Sequence, residues 1–181
     1  LEGIPATVYL AVVGIGLSML IAIPLGTLAA VRRNTPTDYA AQVSSLAGIS
    51  IPEFWFAIMC VLVFSLYLGW LPSSGYISPF VDFKQSLIFL ILPAIAVGFR
   101  QAAFTTRLTR SSMLDEMNKE YVDTGRSLGF SENKVIYKYT LRNAMIPTIT
   151  ISGLQLANLL GRTVVLESIF AWPGIGRAIF E

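Results

Sequence analysis

Residues 107–142 read RLTRSSMLDEMNKEYVDTGRSLGFSENKVIYKYTLR, a polar stretch in a chain otherwise mostly soluble in hydrocarbon. The spacing predicts two short amphipathic helices meeting at Gly129. Ser112 followed by Asp115 resembles a capping box, and acidic Asp115 and Glu116 suit a helix N-terminus. Met113, Leu114, Met117, Tyr121, Val122 and Leu128 then follow at helical spacing. Gly129 fits a left-handed C-terminal cap, a conformation costly to residues that carry a Cβ. Ser131 can cap the next helix, whose apolar side is Val135, Ile136, Tyr139 and Leu141. Helices this short are marginal alone in water, so their apolar faces must pack on membrane spans or on a soluble partner.

Outward from the loop, the chain is 54% hydrophobic and only 13% charged, against about 25% charged in an ordinary soluble domain. The stretch Gly3 to Val31 carries no charge at all, and it exceeds the roughly 20 apolar residues that cross a bilayer as a helix. Four spans are expected, over 4–31, 40–68, 85–104 and 144–166. Pro24 and Gly26 are expected to kink the inner third of the first, and Pro52 marks a break in the second. Between the second and third lies GWLPSSGYISPFVDFK, an irregular loop whose Trp70 and Tyr76 suit a membrane–water interface. The net charge of +2 matters less than its distribution. Arg32 and Arg33 and the seven basic residues of 107–142 fall on one side, with only Lys84 and Arg177 opposite. By the positive-inside rule, loop 107–142 is cytoplasmic.

The sequence has no histidine, which excludes imidazole acid–base catalysis and most zinc or haem ligation. Cys60, in FAIMCVLVF, reads as a small buried or lipid-facing hydrophobe. No GxxxxGK[ST] phosphate loop occurs, so ATP binding by that route is excluded. WPGIGR at 172–177 lacks the strand and third glycine of a dinucleotide site. It reads as a chain break at the outer face, with Trp172 as an interfacial anchor.

The loop resembles the EAA motif of permease subunits of binding-protein-dependent ABC importers. Gly129 and Leu141 match the general pattern, whose triplet falls on Asp123, Thr124 and Gly125. The dipeptide, oligopeptide and nickel permease branch is closer. Glu120, Tyr121, Val122, Thr124, Arg126, Gly129, Ser131, Val135, Leu141, Arg142, Asn143, Ala144 and Pro147 match it, while Gly125 and Ser127 replace alanines. The similarity extends to IPLGTLAAVRR, IPEFW, LGWLPSSG, LPA at 92–94, RLTRSSML and FAWPGIGR.

The resemblance implies an all-α polytopic transmembrane helix bundle, as one domain over 1–181. It also implies a fragment lacking the family's first and last spans. It implies a transport subunit in the cell's inner (cytoplasmic) membrane, not an enzyme, moving peptides or a related small solute. Expected partners are two ATP-binding cassette subunits, a second permease and an extracytoplasmic solute-binding protein, with no nucleic acid. No cofactor or metal is expected on this chain, ATP being bound by the partners. Glu120, Tyr121, Asp123, Thr124, Gly125, Arg126, Gly129, Ser131, Leu141 and Arg142 would form the ATPase-coupling loop.

Ionisable groups at membrane depth demand a reason. Arg100, near the inner end of its helix, is expected to snorkel to headgroups. Glu53 either lines the translocation path, favouring cations, or reaches an aqueous cavity. Arg162 either faces the pathway and a substrate carboxylate, or pairs internally with Glu53 or Glu167, the favoured reading because a buried unpaired guanidinium is the least tolerable arrangement. Gln155 and Asn158 pack between helices or line a polar path. The rival function is a secondary transporter or channel driven by an ion gradient through an acidic group such as Glu53.

Overall fold

The computed structural model describes residues 3–162, 164–174 and 176, and of residues 160–162 the backbone alone. Every regular element among the described residues is helical. Helix α1 spans Gly3–Val31, α2 Pro36–Ser50 and α3 Glu53–Cys60, α3 continuing through wider π-helical turns over Val61–Tyr67. Helix α4 spans Phe83–Met117 and α5 Glu120–Ser127. A second π-helical stretch, Lys134–Thr140, runs directly into α6, Leu141–Arg162, and α7 is Val164–Ile169.

Helices α1 and α4 form the spine, and small residues are what let them approach. A Cβ on Gly14 would stand 2.9 Å from Val97 Cγ1, and one on Gly98 2.9 Å from the Gly14 carbonyl oxygen. Further along, a Cβ on Gly26 would stand 2.8 Å from the Thr106 carbonyl oxygen. Gly14 meets Val97 and Gly26 meets Thr106, so α1 and α4 run parallel, their basic ends on the same side. Both are long and apolar enough to cross a membrane.

Helix α2 runs antiparallel to α4: Asp38 meets Arg110, and Gly48 packs on Ala103. After a 98° bend at Ile51–Pro52, Phe56 stacks on Phe99 with ring centroids 3.9 Å apart. Ala57 and Cys60 then join a core with Ala6, Leu10, Leu90 and Leu92. The break expected near Pro52 is therefore present. It arises because proline fixes its own φ and drives the preceding residue out of the helical region.

Three expectations are corrected. The third hydrophobic helix does not end near Phe104 but continues to Met117, about 52 Å at 1.5 Å per residue. Ser112 is consequently mid-helix and buried, not a cap, and the true cap is Asp82, whose Oδ1 accepts from the Gln85 N–H at 3.1 Å. Asp115 and Glu116 thus stand in the last turn, the end of the macrodipole that disfavours them. Glu116 is offset by Lys119 Nζ at 2.5 Å and the Tyr121 hydroxyl at 2.7 Å.

Trp172 is the third correction. It is fully buried, its Nε1 donating to the Ala6 carbonyl at 3.0 Å, with Tyr76 edge-on at 4.8 Å. The Gly75 N–H donates to the Phe170 carbonyl at 2.9 Å. Loop and corner close one end of the bundle, so the indole is a core residue there and not an anchor facing headgroups. Trp70, by contrast, is largely exposed, as an interfacial residue should be.

Candidate coupling elbow and polar cavity

The elbow is built at the basic end of the bundle. Ala30 of α1, Met113 of α4, Ile136 of the second π-helical stretch and Ala144 of α6 form a second core, flanked by Val31, Leu114, Met117 and Leu141. Val122 and Val135 are buried beside it. The short helices are therefore held by the inner ends of the longer ones, as their marginal intrinsic stability requires.

Helix α5 ends at a backbone reversal. Gly129 has φ +77°, its N–H donates to the Arg126 carbonyl at 2.9 Å, and the Phe130 N–H donates to the Gly125 carbonyl at 3.2 Å. Left-handed capping by Gly129 is as expected. Across the turn, Arg126 reaches Glu132 through Nη2–Oε1 at 2.7 Å and Nε–Oε2 at 3.2 Å, and Asp123 at 3.4 Å. The guanidinium holds the Glu132 carboxyl below its usual range. Phe130 stacks on Tyr139, and Lys134 Nζ lies 4.0 Å from the Phe130 ring centroid.

The motif residues divide by face. Glu120, Asp123, Thr124, Arg126, Gly129, Ser131 and Arg142 are exposed. Gly125 is buried, and Tyr121 and Leu141 are half-buried against the bundle. Burial pushes the Tyr121 phenol up, with Asn143 and Glu116 as hydrogen-bond partners. Leu128, expected on the packed face, is 68% exposed beside Gly129. Periodicity misassigned it because the helix ends at Ser127 and the turn swings the next side chain outward.

A second site lies nearer the middle of the bundle. Glu53 at the start of α3, Arg100 and Gln101 of α4, and Gln155 and Asn158 of α6 line a cavity of about 210 Å³, with Ile49, Val97, Phe104 and Leu159. Three of the four suggested pathway residues, Glu53, Gln155 and Asn158, thus converge. The Arg162 side chain lies outside the described residues. Arg100, expected to snorkel away, instead faces this cavity, and Gln101 was missed. One signal pointed to them: two adjacent strongly polar residues in an apolar helix. Among the described residues, no cluster of three potential metal ligands exists.

The profile of the family described as "Binding-protein-dependent transport system inner membrane component" matches residues 22–181. The chain belongs to that family. It is 42% identical to the oligopeptide transport system permease protein AppB of Bacillus subtilis, over 98% of this chain and 57% of that protein. Identity is 40% to a putative peptide transport system permease of Brucella suis (99% and 57%) and 38% to the dipeptide permease DppB of Alkalihalophilus pseudofirmus (97% and 59%). This family member spans a little over half the length of these relatives. A solved chain of the MetNI methionine ABC transporter, in inward facing conformations, shares the fold at TM-score 0.73 and 18% identity, covering 99% of this chain and 77% of that one. The family thus makes this chain an inner membrane component of a binding-protein-dependent transport system, all-helical among the described residues.

Proposed function

We propose that this chain is the membrane-spanning permease part of an ATP-driven importer that moves peptides or a related small solute handed over by an external binding protein. The observation that carries the reading is the elbow at Gly129: an exposed helix–glycine–helix turn fastened to the ends of α1, α4 and α6. Exposed Leu128 at its apex and the flanking charges suit docking into a cleft on a cytoplasmic ATP-binding cassette subunit. Two such subunits closing on ATP would push two elbows, one from this permease and one from a second permease. The helices packed on the elbow would carry that motion to the pathway.

In this reading the protein crosses the cytoplasmic (inner) membrane several times. Helices α1 and α4 run inward, the bent pair α2–α3 returns outward, and α6 makes a further crossing. The positive-inside asymmetry and the antiparallel contacts of α2 with α4 both favour this arrangement. ATP is bound and hydrolysed by the partners, and this chain needs no cofactor of its own.

The test is co-purification of the full-length permease with its ATP-binding subunits, comparing wild type with Gly129→Asp. A Cβ at Gly129 meets nothing within 4 Å among the described residues, and aspartate tolerates the left-handed region better than most residues. The variant should therefore fold and yet lose the ATPase. Wild type that captures no ATPase and transports on an ion gradient alone would sink the reading.

A further inference from the structure

The geometry points to Arg100 and Gln101 as a carboxylate-reading subsite for the C-terminal end of a peptide cargo, an inference that rests on the transport reading above. Arg100 is a permanent cation, and its guanidinium presents a donor fork matched to a carboxylate. It lines the cavity, and no ion pair holds it among the described residues. Gln101, the next residue, is only 9% exposed and lines the same cavity. Its Nε2 has no hydrogen-bond partner among the described residues. A buried amide donor without a partner is destabilising, a cost that a carboxylate oxygen in the cavity removes.

Size and polarity narrow the guest. At about 210 Å³ the cavity is smaller than the roughly 300–1,000 Å³ of sites that enclose a drug-sized molecule. It takes one end of a peptide, leaving the remainder in the wider path. Glu53 of α3 lines the same cavity, and its side chain already has an interaction of its own. The strong donors therefore sit together on α4, and the anionic terminus is the end they serve.

The subsite is tested in proteoliposomes holding the full-length permease, its partner permease, the ATP-binding subunits and the binding protein. ATP-driven uptake of trialanine is compared with that of trialaninamide, which lacks the terminal charge. The same binding protein serves every variant, so its own preference cancels when variants are compared. Arg100→Gln should cut the preference for the free acid about tenfold, as expected for losing a charge-assisted hydrogen bond. Arg100→Lys should keep most of it. An unchanged preference in Arg100→Gln overturns the subsite and leaves ATP-driven transport standing. No ATP-dependent peptide uptake by wild type overturns the transport reading and the subsite with it. Gln101→Met, which conserves side-chain size, gives the answer if Arg100→Gln does not assemble. A fall of about threefold is expected there, and no fall overturns the assignment.

Discussion

Arg110 on α4 grips Asp38 on α2 through two parallel bonds, Nε to Oδ1 at 2.6 Å and Nη2 to Oδ2 at 2.8 Å. The carboxylate also accepts from the Asn34 N–H and from Gln42 Nε2, each at 3.0 Å. All its acceptor positions face donors, so a charge with 1% of its side chain exposed is tolerated. The clamp fixes the turn after α1, where Asn34 takes φ +61°, to the inner extension of α4 that leads to the elbow.

Removing the arginine leaves that buried carboxylate with only two neutral donors. Arg110→Ala should therefore destabilise the protein by about 3 kcal/mol, read as a lower melting temperature in detergent. Arg110→Lys should recover only part, because a single ammonium cannot reproduce the planar fork. Equal melting of wild type and Arg110→Ala would show the clamp to be incidental.

The same clamp predicts a pH response. The Arg110 hydrogen bonds hold the Asp38 carboxyl down at about 2 against an ordinary 3.8. A carboxylate whose folded-state pKa is depressed contributes stability that is complete above its unfolded value and lost as pH falls through the folded one. The stability advantage of wild type over Asp38→Asn should be flat above pH ~4 and shrink between pH ~4 and ~2, by on the order of 2 kcal/mol. An advantage that stays constant down to pH 2 would mean that Asp38 does not act as a charge.

The α1–α4 spine makes a contrast between two glycines of one helix environment. A Cβ on Gly98 would stand 2.9 Å from the Gly14 carbonyl oxygen, a backbone atom that cannot swing aside, whereas one on Gly16 meets nothing within 4 Å among the described residues. Gly98→Ala should force the helices apart at a cost of about 1–3 kcal/mol. Gly16→Ala should be neutral or gain about 0.5–1 kcal/mol from helix propensity. Thermal unfolding of the two variants side by side separates close packing from propensity.

Much of this architecture was legible because it rests on local signals. The uncharged run 3–31, the proline break and the left-handed glycine each declare themselves within a few residues. What stayed hidden depends on partners distant in sequence. Ser112 and Asp115 mimic a helix start, yet helix α4 runs through them because its buried face there packs on α1 and on Ile136. Trp172 looks like an interfacial residue until Ala6, 166 positions away, supplies an acceptor for its indole. Arg100 was read alone and Gln101 not at all, because only the approach of α3 and α6 to α4 makes the cavity that both of them line. The Asp38–Arg110 pair, 72 residues apart, left no periodicity to find.

Gly125 offers a test of the elbow's own stability. It is buried in α5, where a helical glycine costs roughly 0.5–1 kcal/mol relative to alanine. A Cβ there would lie 3.7 Å from Phe130 Cδ2 and 3.7 Å from Val135 Cγ2, ordinary van der Waals contact. Gly125→Ala should therefore be accepted without rearrangement. It should slow amide hydrogen exchange across 120–128 several-fold by lowering the population of frayed α5. Capture of the ATPase should survive, since the added methyl points inward and leaves exposed Leu128 and the Gly129 turn unchanged. Faster exchange in the variant would mean that the α5–Phe130 packing is tighter than its distances indicate, and that glycine is required at 125 for space.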